Sequence, residues 1–74
     1  MAVKVYNATR NGWISEIRRH IMSGTLEAVF LKRESNGYAF EDYDTAKKWV
    51  DELKKLDKYK DNAWRFKEVG KWLD

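Results

Sequence analysis

Two asparagine-glycine pairs, Asn11-Gly12 and Asn36-Gly37, constrain this chain more than any other feature. Such a pair accepts the positive φ angles that a tight turn between antiparallel strands demands. Ahead of the first pair, residues 3–8 alternate, with Val3 and Val5 on one face. Ahead of the second, residues 26–33 are rich in β-formers (Val29, Phe30, Leu31), and Tyr38 and Phe40 share a face just beyond it. Residues 26–41 therefore read as a β-hairpin turned at Asn36-Gly37.

One stretch has a different period. Ala46, Trp49, Val50, Leu53 and Leu56 recur at i, i+3, i+4, i+7 and i+10, which makes a single apolar stripe on a helix. The spacing predicts a helix over 45–58, capped by Asp44 or Thr45. Lys54, Lys55 and Lys58 then suit the negative end of its dipole. Asp51 and Lys55 are spaced for an i,i+4 ion pair. Residues 57–62 are a polar connection. Residues 63–69 alternate again, with Trp64 and Phe66 on one face and Arg65 and Lys67 on the other.

Residues 11–24 support two readings. As a strand, Trp13 to Ile17 returns from a hairpin turned at Asn11-Gly12, giving the order β-β-β-β-α-β, a small antiparallel sheet with one helix packed on it. As a helix, Trp13, Ile14, Ile17 and Ile21 fall on one arc between an Asn11 cap and a Gly24 stop, giving the ferredoxin-like order β-α-β-β-α-β. Both are α+β, and the turn signal at Asn11-Gly12 favours the strand. At 74 residues, residues 1–74 form a single domain with one thin core. The chain has no cysteine, so aromatic side chains must supply what disulfides cannot. Trp13, Trp49 and Trp64 fall on the apolar faces of their elements and are assigned to the core. Trp72, in the terminal stretch, either folds back over the sheet edge or stands out as an anchor for another protein.

The chemistry available is narrow. Without cysteine there is neither a thiol nucleophile nor a thiolate metal site. The single histidine, His20, has no serine in a triad-like context, and the phosphate-binding glycine motifs are missing. The acidic run Glu41-Asp42-Tyr43-Asp44 lacks the spacing of a calcium loop and suits a helix N-terminus instead. The expectation is a protein that is not an enzyme and needs no cofactor or metal. The net charge of +3 is unevenly placed: residues 1–37 carry six basic and three acidic groups, and the remainder nine of each. Arg10, Arg18, Arg19, His20, Lys32 and Arg33, with Trp72, are the candidate partner-binding residues. No apolar N-terminal stretch or membrane-length run occurs, so a cytoplasmic protein away from membranes is expected.

Four segments carry a resemblance. Gly12-Trp13-Ile14-Ser15-Glu16-Ile17, Tyr38-Ala39-Phe40-Glu41-Asp42, Thr45-Ala46-Lys47-Lys48-Trp49-Val50-Asp51-Glu52-Leu53 and Trp64-Arg65-Phe66-Lys67-Glu68-Val69 together resemble small accessory proteins encoded by phages and prophages. The resemblance implies a short, non-enzymatic protein working in the cytoplasm of a bacterial host. Such a protein inhibits or modulates a host protein or nucleoprotein by steric occlusion, as anti-CRISPR and other anti-defence inhibitors do. Two alternatives stand beside it: a small nucleic-acid-binding domain using the basic N-terminal half, and a virion structural or assembly protein. A monomer or a homodimer fits either.

Overall fold

The computed structural model describes residues 2–68 and 70–73. Val69, the last residue of the strand expected over 63–69, lies outside them, as do Met1 and Asp74. Five strands, β1 (Val3–Asn7), β2 (Gly12–Arg19), β3 (Leu26–Leu31), β4 (Trp64–Glu68) and β5 (Lys71–Trp72), form one antiparallel sheet in the order β3-β2-β1-β4-β5. One helix, α1 (Tyr43–Lys54), packs on one face against β1, β3 and β4. The fold is thus the small α+β domain expected, and residues 11–24 take the strand reading. The chain order is β-β-β-α-β-β.

The alternation seen in the sequence sorts the two faces. Val3, Val5, Ile14, Leu26, Ala28 and Phe66 are buried toward the helix, where Ala46, Val50 and Leu53 meet them. Burying a Val, Leu, Ile or Phe side chain contributes about 1.5–3 kcal/mol, so this layer holds the domain together. Tyr59, in the turns after the helix, completes it. Its hydroxyl accepts the backbone N–H of Ala28 at 3.1 Å. That contact satisfies an outward donor on β3, an edge strand.

Several expectations are corrected. Of the pair Asn11-Gly12, Asn11 alone adopts positive φ, 56°. Gly12 already belongs to β2, paired with Asn7, and a Cβ there would lie 2.9 Å from that of Phe30. The hairpin over 26–41 does not form. Glu34–Asn36 is a turn of 3-10 helix, and Gly37 is extended at φ −72°. Residues 38–40 instead wedge between β1 and β2. Phe40 exchanges backbone hydrogen bonds with Val3 (2.8 and 2.9 Å), and the Tyr38 N–H donates to the Ile14 carbonyl at 2.8 Å. The helix starts two residues early because Asp42 is its cap, its side chain accepting from the Thr45 N–H. It ends at Lys54, so Lys58 lies in the following turns. Lys47 pairs with Asp51, and Lys55 with Glu52, rather than Asp51 with Lys55.

Candidate functional site

The wedge of residues 38–40 shapes the surface that matters most. β1 pairs with β2 only at Tyr6–Trp13 and Asn7–Gly12. Among the described residues no strand pairs with β2 beyond that point on its β1 side. From Glu16 onward β2 continues with β3 alone, as a two-stranded ribbon ending at the turn 20–25. There the His20 N–H donates to the Thr25 carbonyl, and Gly24, at φ +70°, donates to the His20 carbonyl. The molecule is elongated, 37 Å along one axis against 22 and 20 Å along the others.

The tip of this ribbon carries Ile21 and Met22, 94% and 99% exposed. A lone exposed apolar residue is ordinary, but two adjacent large ones at a projecting turn are not. Charged groups stand directly behind them. Arg18 pairs with Glu16 at 3.1 Å, and His20 Nε2 lies 2.8 Å from Glu27 Oε2. The Glu16 carboxylate holds the Arg18 guanidinium above its ordinary pKa. The hydrogen bond from His20, helped by the charges of Lys58 and Arg18, holds the Glu27 carboxyl below the usual carboxylate range.

A groove of about 280 Å³ opens where β2 loses its neighbour, lined by Ile14, Ser15, Glu16, Ile17, Tyr38, Phe40 and Trp49. A β-bulge between Ile14 and Glu16 marks its start, with the Ser15 hydroxyl donating to the Val29 carbonyl at 3.2 Å.

The helix-free face of the sheet carries a second cluster. Trp72 stacks on Trp13 with ring centroids 5.6 Å apart and planes 20° apart, and Tyr6 abuts both rings. The Arg65 guanidinium sits 4.0 Å over the Trp72 ring. Lys67 lies near both tryptophans and pairs with Glu34 at 2.7 Å. Trp13 is thus buried as assigned, only 6% exposed, but it packs in this outer cluster and not in the helix-side core. Trp49 and Trp64 do pack against the core. Trp72 folds back over the sheet, so its ring faces are engaged from within.

The candidate residues do not form one patch. Arg18, Arg19 and His20 gather at the ribbon tip. Lys32 and Arg33 follow the far end of β3, six or more residues away, about 20 Å along a strand. Arg10, although exposed, is held by contacts within the chain. Its Nε donates to Asn62 Oδ1 at 3.0 Å and its Nη2 to the Lys58 carbonyl at 3.3 Å, while its guanidinium covers the Tyr59 ring at 4.9 Å. Buried Asn7 ties the same turn, its Nδ2 donating to Asn62 Oδ1 and its Oδ1 accepting the Arg10 N–H. Ile21, placed only on the apolar arc of the helical alternative, and Met22 were not among the candidate binding residues, although an apolar pair next to Ser23-Gly24 was a visible signal. The groove had no such signal, because it depends on where residues 38–40 insert.

Comparison with known proteins adds no relative: no family model, no curated protein and no solved structure matches the chain. Among the described residues no helix is long and apolar enough to cross a membrane.

Proposed function

We propose that this protein is a non-enzymatic binding module of the phage accessory type, which occludes a host protein by docking its β2–β3 ribbon. The single observation that carries this reading is the exposure of Ile21 and Met22 side by side at the ribbon tip. Leaving both in water is unfavourable, and a partner's apolar pocket would remove that cost at about 25 cal/mol per Å². Arg18, Arg19 and His20 behind the tip would give the contact a polar rim, the usual anatomy of a protein interface. A nucleic-acid partner finds less support. The outer-face rings that could stack on bases are stacked on one another and under Arg65.

The test is capture from bacterial lysate with a tagged protein, read by mass spectrometry. A protein retained by the wild type, released by Ile21→Ser/Met22→Ser and weakened by Arg18→Glu/Arg19→Glu, is the expected result. Capture that ignores the tip variant, or that vanishes after nuclease treatment, contradicts the reading.

A further inference from the structure

The ribbon has a second feature, its unpaired edge. The His20 N–H points toward β3, since it donates to the Thr25 carbonyl. Backbone groups alternate sides along a strand, so Arg18 also faces β3, in register with Glu27. Ile17 and Arg19 therefore direct their N–H and C=O away from β3, toward the side where β2 has no strand neighbour among the described residues. The place opposite Ile14 on that edge is held by Tyr38, whose N–H donates to the Ile14 carbonyl. An added strand can thus run beside β2 no further than Ser15. Two apolar features flank this stretch at equal spacing from Arg18. Ser15, in the lining of the groove, stands three residues before it, and exposed Ile21 three residues after it.

We infer that the protein pairs with a second copy of itself, the two β2 edges running antiparallel about a two-fold axis at Arg18, so that the apolar tip of each copy seats in the groove of the other. A two-fold contact needs one surface to complement itself. The equal spacing supplies that match: with Arg18 opposite Arg18, Ile21 of either copy lies opposite Ser15 of the other. Alternation carried past Arg19 sets Ile21 on the same side of the sheet as Ile17. On that side the groove offers Phe40 and Trp49, and Tyr38, which is 54% exposed, stands at its end. The turn 20–25 then takes the chain away before it meets Tyr38. This spacing selects a second copy over a foreign segment. Any extended chain could use the edge N–H and C=O groups, but this one also carries an apolar pair at the distance the groove requires.

The same geometry selects the register. Antiparallel pairing sets outward residues opposite outward residues. Ile17 opposite Ile17 would carry His20 of the other copy onto the place held by Tyr38. Arg19 opposite Arg19 would set Arg18 against His20, with no carboxylate opposite any of these groups. Ile17 opposite Arg19 avoids both. It sets Glu16 opposite His20 at each end, acid against base. The two Arg18 side chains meet at the axis, each already paired with its own Glu16 at 3.1 Å and in register with its own Glu27. The contact is short, so it belongs among the small, weak interfaces. At micromolar concentration the protein is a monomer with its tip free. Self-association hides the tip that a host protein would use, and the two compete.

Sedimentation of the purified protein from micromolar to millimolar concentration should show monomer passing into dimer. Ile21→Ser/Met22→Ser should move that transition to a concentration about tenfold higher or more, since both tips lose their apolar contact. The register is read by cross-linking, because the chain has no cysteine of its own. Residues 16 and 18 are exposed, so single cysteines there leave the core intact. Residue 18 meets itself across the axis within disulfide reach, whereas the two copies of residue 16 lie about 13 Å apart along the strands. Under mild oxidation at millimolar concentration, Arg18→Cys should therefore form covalent dimer about tenfold faster than Glu16→Cys. A monomer at millimolar concentration, a tip variant that dimerises like the wild type, or equal cross-linking of the two cysteine variants overturns the inference. No host protein enters these measurements, so their failure leaves capture from lysate to stand or fall by its own test.

Discussion

Two residues show how local chemistry and tertiary packing divide the work. Tyr59 is buried, and its hydroxyl accepts the Ala28 N–H on the outer edge of β3. Tyr59→Phe keeps the ring and strands the donor, so denaturant unfolding should show a loss of about 1–3 kcal/mol. Gly12 reads in sequence as half of a turn, but its need for a bare Cα comes from Phe30, whose Cβ would stand 2.9 Å from an added methyl. Gly12→Ala should therefore cost about 1–3 kcal/mol by overpacking. The turn chemistry was legible at Asn11, which does take positive φ. The role of Gly12 was not, because it depends on a neighbour eighteen positions along the chain.

At the level of elements, periodicity was a good guide and punctuation a poorer one. The helix stripe Ala46, Val50, Leu53 and the alternation of Trp64 to Lys67 were readable because burial imposes those periods. The hairpin over 26–41 failed because residues 38–40 take their backbone partners from Val3 and Ile14 and not from β3. The cap of α1 carries a pH dependence. The backbone N–H of Thr45, and then its hydroxyl, hold the Asp42 carboxyl below the usual carboxylate range. A carboxyl depressed in the folded state adds stability that is present above its unfolded pKa, about 3.9, and is lost as pH falls below it. Glu27 is depressed as well and has the same sign. Thermal melts should therefore fall off through that acid range, and Asp42→Asn should flatten the fall, since asparagine caps without titrating. The ribbon tip behaves oppositely: Ile21→Ser/Met22→Ser should leave unfolding within about 0.5 kcal/mol of wild type, because nothing packs on either side chain.

The whole molecule is a sheet covered on one face by a helix and on the other by a small aromatic cluster sealed with cations. Trp72 is the lid of that cluster. Trp72→Ala should destabilise the domain by about 1–3 kcal/mol and shift the remaining tryptophan emission to the red, as Trp13 meets water. The basic bias of the N-terminal half was visible in the sequence, but not that the fold would split it among the ribbon tip, the far end of β3 and an internal staple at Arg10. The central claim is that the protein works through the β2–β3 ribbon. Amide hydrogen exchange of the captured complex tests it most directly. The account predicts slowed exchange over residues 17–25 and unchanged exchange at Tyr6, Trp13 and Trp72. Protection concentrated on the outer aromatic face, with the ribbon exchanging as in the free protein, would contradict it.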